Sequence, residues 1–188
     1  RYLRGKPRLV YKYRWQKSPT ELVAHSDTNW AGCVKTRKST SAGGISHGKH
    51  LVRSWSKTQA GIALSSAEAE LGGVVRTTAE VLGFSSMMKD LGRTLPGKGY
   101  IYADASAALG IIQRRGVGSI RHLDTRLLWV QDKVVKDIVE YKKVAGTVNP
   151  ADLGTKHLDQ QAIARHLKSW ELEEKEGRPK VAPGETEW

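Results

Sequence analysis

ALSSAEAEL, from Ala63 to Leu71, starts a helix and plants two carboxylates in its first turns. Ser65 and Glu68 have the spacing of a capping box, in which the hydroxyl accepts from a free N-H of the first turn and the glutamate reaches back to the cap. Folding alone accounts for Glu68. Glu70 lies within turn spacing of Ala67 and Val74, beside an apolar stripe that continues through Leu71, Thr78, Val81 and Leu82. A carboxylate on that side needs a partner, and a Lys or Arg would suffice. The rest of the chain decides whether something else is meant.

Downstream, the periodicity carries the helix to about Lys89, with a stop near Gly92. Gly72, Gly73 and Gly83 each weaken it by up to ~1 kcal/mol, and paired glycines on a helix imply a bend or close approach to a sheet. Upstream, Glu21 to Ser26 alternates as a strand and delivers Asp27 at its end. The basic loop KTRKSTSAGG, Lys35 to Gly44, then turns the chain, and Ile45–His47 and His50–Trp55 form a hairpin around Gly48 and Lys49. After the helix, Tyr100 to Ala103 is a strand ending at Asp104, Ser106 to Gln113 a short helix, and His122 to Lys136 a third helix. Ile138 to Val144 is a last strand. NPADLG opens a fourth helix, with Asn149 as N-cap, Pro150 first inside and Asp152 in the first turn, running on through Ile163, Leu167 and Trp170. Three strands, helix, strand, two helices, strand, helix make an α/β layer on a mixed sheet.

The 188 residues suit one substantial core, and 39% hydrophobic with 27% charged residues describe a globular chain. A formal charge of +12 calls for a polyanionic partner, most simply nucleic acid. Cys33 is the single cysteine, which excludes an internal disulfide framework and a cysteine-rich zinc site. No run reaches transmembrane length, so no membrane partner is expected. Residues 1–20 interleave Tyr2, Tyr11, Tyr13 and Trp15 with Arg and Lys, a pattern that serves either a nucleic-acid track or a strand. From Gly177 the polar, Pro-bearing tail is expected to be disordered.

Asp27 and Asp104 at strand ends, Glu70 in a helix's first turns and Asp152 after the last strand can converge on one sheet edge. Clustered carboxylates raise one another's pKa unless cations neutralise them. Hard oxygen ligands without cysteine select Mg2+ or Mn2+, and a pair of such ions suits phosphodiester cleavage. An acid cluster within a strongly basic chain fits a metal-dependent nuclease.

Five stretches carry a resemblance in the same order: SDTNWAGCVKTRKSTSAG (26–43), SWSKTQAGIALSSAEAEL (54–71), IYADASAAL (101–109), IRHLDTR (120–126) and NPADLGTKHL (149–158). Together they strongly resemble the ribonuclease H domain of copia-type LTR retrotransposon polyproteins, and RYLRGKP looks like the segment that joins it to reverse transcriptase. The resemblance implies a ribonuclease H-like fold, with a five-stranded mixed sheet of three antiparallel then parallel strands. It divides the chain into a connection segment (1–20), the ribonuclease H-like domain (21–176) and a tail (177–188). It further implies cleavage of the RNA strand of an RNA-DNA hybrid, with Asp27, Glu70, Asp104 and Asp152 as first to fourth metal ligands and Glu68 as the competitor for the second place. The partners implied are the hybrid and the reverse transcriptase of the same polyprotein, in a cytoplasmic virus-like particle with access to the nucleus.

Trp30, Arg37, Thr40, Ser65 and Ser66 adjoin these acids or lie in the first basic loop, where they can meet phosphate or 2′-hydroxyl groups. Core packing is the competing role for Trp30 and capping for Ser65. Arg114, Arg115, Arg121, Lys142 and Lys143 are candidates for the DNA strand or for plain solvated surface. Ala105 stands where the family commonly has Asn, Gly154 where a bulky apolar residue is usual, and Gly72 and Gly73 where side chains are larger. The loop VAGTVNP (144–150) lacks the His that cellular ribonucleases H often carry, and no His is assigned to catalysis. Two other roles fit the same residues: a catalytically silent hybrid-binding or connection domain, and another nuclease or integrase on the same fold.

Overall fold

In the computed structural model, residues 8–116, 118 and 125–177 are described. The RYLRGKP start, Arg121, His122 and the tail beyond Gly177 lie outside the described residues. β2 (Leu22–Asn29), β3 (Thr40–His47) and β4 (His50–Thr58) form an antiparallel meander, after β1 (Leu9–Tyr11). α1 (Ser66–Asp90) crosses to β5 (Gly99–Ala103), then α2 (Ser106–Gln113), α3 (Trp129–Val135) and β6 (Val139–Lys143) follow. The sheet order is β4-β3-β2-β5-β6, with β5 parallel to β2 and β6 parallel to β5. The expected five-stranded mixed sheet is therefore present.

Alternation along β2 and β5 aims Leu22, Ala24 and Ile101 at one layer of core. The stripe of α1 meets them: Leu71, Val74 and Val81 are buried, joined by Leu109 and Ile112 of α2 and Val130 of α3. Gly73 lets this helix approach closely, because a Cβ there would stand 2.3 Å from Thr28 Oγ1. The paired glycines thus mark approach to the sheet, and Gly73 is the one that requires it. Thr77 and Thr78, also buried, return their hydroxyls to the Gly73 and Val74 carbonyls of the preceding turn.

The segment expected as a basic loop up to Gly44 is strand from Thr40 onward. SAGG shows no apolar alternation, yet its small residues suit a crowded position: Trp55 covers Gly43 and Trp170 covers Gly44. Asp27 accordingly lies inside β2, which runs on to Asn29. The third helix has its described part as a 3-10 turn, Thr125–Leu128, followed by α3.

The fourth helix is two elements. Pro150–Gly154 is a 3-10 turn, capped by Asn149 as expected, and α4 (Gln160–Ser169) starts afresh with Asp159 accepting from the Ala162 N-H at 2.7 Å. Gly154 is the reason for the tight turn, since a Cβ there would lie 2.5 Å from that of Ala42. Beyond α4, β7 (Leu172–Glu174), which the sequence did not reveal, pairs antiparallel with β1. Residues 8–20 also reach the meander through Tyr13 Oη to the Leu51 carbonyl and Gln16 to the His47 carbonyl. Among the described residues no helix is long and apolar enough to cross a membrane.

Candidate metal centre

Register brings the first two acids together. Parallel pairing sets Ser26 beside Ala103, so the next residues, Asp27 and Asp104, emerge side by side. α1 supplies the third, because its start is fixed in three ways. Ser65 Oγ accepts from the Glu68 N-H at 3.2 Å, Glu68 Oε2 accepts from the Leu64 N-H at 2.8 Å, and Gln59 ties Ser41 Oγ to the Ala69 carbonyl, each at 2.8 Å. The glutamate of the capping box therefore reaches one residue past the cap, and it is occupied in starting the helix. Glu70 is left for the cluster: one carboxylate oxygen from each of Asp27, Glu70 and Asp104 lies within 4.8 Å of the others.

Asp152 stands apart from that triad but is linked to it. Lys156 Nζ donates to Asp27 Oδ1 at 3.2 Å and to Asp152 Oδ1 at 3.0 Å, while the Thr155 hydroxyl donates to Asp27 Oδ2. The fully buried Asn149 fixes the turn that carries these residues, donating to the Ser26 carbonyl at 2.9 Å and accepting from the Ala151 N-H. Ser56 Oγ donates to the Gly154 carbonyl at 2.6 Å from the other side. Thr155, Lys156 and Asn149 were not singled out from the sequence as site residues. The Asp152/Lys156 spacing of four was the available signal, and it held although the helix expected to carry it does not continue.

Electrostatics mark the cluster as charge-starved. Burial pushes the Glu70 carboxyl up to about 8, with Asp27 and Asp104 adding to the shift. Asp104 is raised by burial and by Asp27, and Asp152 by burial against the pull of Lys156. Lys156 is held above the usual lysine range by Asp152 and Asp27, although burial works against its charge. Glu70 Oε2 is buried without a hydrogen-bond partner. An orphaned carboxylate oxygen facing two further carboxylates fits a small, hard divalent cation such as Mg2+ or Mn2+.

Trp30 is 46% exposed, and its indole N-H is anchored on the Ala63 carbonyl at 3.1 Å, so it borders the start of α1 and is not core. Thr40 opens β3 between Asn29 and Thr58, Arg37 is exposed in the loop before it with φ of 57°, and Ser66 is exposed beside the cap Ser65. Lys143 donates to Ser106 Oγ, and Lys142 pairs with Glu140 at 3.3 Å. Gly146, in the loop without a His, packs against Asp104 Oδ2. Ala105 is the N-cap of α2 and offers no side-chain acceptor. Ala105→Asn should therefore raise stability by about 1 kcal/mol, read as a higher midpoint in thermal or urea unfolding.

The retrovirus-related Pol polyprotein of transposon TNT 1-94 from Nicotiana tabacum is 28% identical over 137 residues, covering 72% of this chain. That of transposon RE1 from Arabidopsis thaliana is 29% identical over 164 residues, covering 87%. The chain spans only 10% and 11% of those two proteins. No family profile matches the chain. Among solved structures, the RNase H1 of Halobacterium salinarum matches with a TM-score of 0.52 at 13% identity, over 72% of this chain and 94% of that one. The N-terminal RNase H domain of a Mycobacterium tuberculosis protein matches with a TM-score of 0.51 at 13% identity, over 80% and 98%. The chain has a ribonuclease H fold, and its sequence is similar to retrotransposon Pol polyproteins. The resemblance carried by the five motifs is borne out. In this ribonuclease H fold Gly154 is a fitted residue, because the close contact with Ala42 draws the turn bearing Asp152 onto the sheet.

Proposed function

We propose that this chain is a divalent-metal-dependent endonuclease that hydrolyses the RNA strand of RNA-DNA hybrids, as the ribonuclease H region (21–176) of a retroelement polyprotein. The observation that carries the proposal is the convergence of Asp27, Glu70 and Asp104, with Asp152 one lysine away, on a ribonuclease H fold. Two Mg2+ or Mn2+ ions held by these four acids would supply an activated water and charge for the departing 3′ oxygen in phosphodiester hydrolysis. The residues themselves bind and orient. Asn149 and the capping box hold the turn and the helix start in place, so Asp152 and Glu70 arrive without reorganisation. Trp30 offers an exposed ring at the rim for stacking, while Arg37, Thr40, Ser65 and Ser66 offer phosphate and 2′-hydroxyl contacts.

A net charge of +12 around an acidic centre supports a polyanionic substrate. Reverse transcriptase of the same polyprotein is the proposed partner, and the virus-like particle in the cytoplasm, with nuclear access, the proposed setting. The test is a hybrid labelled on RNA, incubated with Mg2+ beside the Asp104→Asn variant. RNA fragments ending in 3′-hydroxyl and 5′-phosphate, absent with the variant and with chelator, are expected. Tight hybrid binding with no cleavage above the variant would overturn the enzyme reading in favour of a silent binding domain.

A further inference from the structure

Both oxygens of Asp27 are taken. Thr155 donates to Oδ2, and Lys156 donates to Oδ1 while bridging to Asp152 Oδ1 at 3.0 Å. Glu70 presents the opposite condition, a buried Oε2 with no partner. The cluster is thus two unlike positions. One, between Asp27, Glu70 and Asp104, has three carboxylates within 4.8 Å and no bridging cation in contact with Glu70 Oε2. The other, between Asp27 and Asp152, already holds an ammonium group at ion-pair distance from both.

We infer that Lys156 is a resident cation that reserves the Asp27–Asp152 position, so that a divalent ion enters there only by displacing it. This rests on the metal reading of the site given above. An ammonium group and a divalent ion are both satisfied by carboxylate oxygens, and each excludes the other from the same pair at these distances. Lys156 also has room to withdraw. Its flexible stem borders a groove of about 680 Å³ lined in part by Trp55, Leu158, Ile163 and Trp170, over which the methylenes can lie. Its side chain is 38% exposed, so the ammonium group stays hydrated on leaving. The first position then fills readily and the second fills late. Asp27 and Asp152 meanwhile stay compensated, and the turn that carries Asp152 stays docked without metal.

The experiment is a calorimetric titration of the intact chain with Mn2+, for wild type, Lys156→Met and Lys156→Arg, with thermal unfolding in chelator alongside. Wild type should show a tight step and a distinctly weaker one. Lys156→Met should strengthen the weaker step about tenfold or more and leave the tight one within about threefold. In chelator it should melt below wild type, because Asp27 and Asp152 lose their shared cation. Lys156→Arg keeps a bridging cation and should keep the second step weak. A second step unchanged or weakened in Lys156→Met overturns the inference while the metal reading stands. A wild-type chain that takes up no Mn2+ overturns the metal reading, and this inference with it.

Discussion

If the proposed function holds, Glu70→Gln should lower cleavage of the hybrid by at least about a thousandfold and leave the chain folded. A loss of that size corresponds to roughly 4 kcal/mol of barrier. It is expected because glutamine keeps the shape of the side chain but removes the charge that faces Asp27 and Asp104. Glu68→Gln is the control. Its side-chain oxygen accepts from the Leu64 N-H, a bond that glutamine can also make, so activity should stay within about threefold. Steady-state cleavage assays read both. A silent Glu68→Gln beside an active Glu70→Gln would mean that the two roles are exchanged.

The same substitution has a pH signature in metal-free protein. Burial and the two aspartates move Glu70 from an ordinary 4.5 to about 8, so the folded chain holds a proton that the unfolded chain releases. The sign follows from linkage: this contribution is fully present below about pH 4.5 and is lost as pH rises through about 8. Wild type in chelator should therefore melt at falling temperature from about pH 5 to about pH 8, and Glu70→Gln should fall less over that range. Added Mg2+ should restore the wild-type midpoint at the alkaline end, because it binds the folded carboxylates alone. A wild-type midpoint that rises through that range in chelator would show that Glu70 is not the strained group.

What could be read before folding divides along a physical line. Strands and helix starts announce themselves through alternation, caps and turn residues, so the elements carrying Asp27, Glu70, Asp104 and Asp152 were legible, although β2 runs on past Asp27 to Asn29, and the structure brings the first three acids together. Strands made of small residues do not announce themselves. Thr40 to Gly44 lies in strand where Trp55, paired on the next strand, and Trp170, far along the chain, cover its glycines. The break after Gly154 was hidden for a related reason, since the crowding by Ala42 that favours a tight turn is a tertiary contact. Lys156 was passed over because a lysine four residues from an aspartate ordinarily reads as helix-surface pairing. Its second partner, Asp27, lies far upstream and becomes visible only once β2 and the turn are packed.

Gly73→Val should be the most damaging single change outside the acids, with a loss of about 3 kcal/mol or more in unfolding free energy. The Cβ alone would stand 2.3 Å from Thr28 Oγ1 and 3.3 Å from Ser41 Oγ, two hydroxyls hydrogen-bonded to each other at 3.0 Å inside the buried layer. Relief requires either breaking that pair, which costs the buried Thr28 hydroxyl its Ser41 partner while Ser41 keeps Gln59, or lifting α1 from the sheet. Lifting α1 also withdraws Glu70, three residues earlier on the helix, from Asp27 and Asp104. Residual folded Gly73→Val should accordingly cleave at least about a hundredfold more slowly, a barrier higher by roughly 3 kcal/mol. Two neighbours separate packing from helix propensity. Gly83→Ala meets nothing within 4 Å and should stabilise by about 1 kcal/mol, whereas Gly72→Ala meets only the end of the Gln59 side chain at 3.1 Å and should be near neutral. Urea unfolding of the three variants decides the matter. If Gly73→Val proves as stable as wild type with full activity, the approach of α1 to β2 is not what positions Glu70.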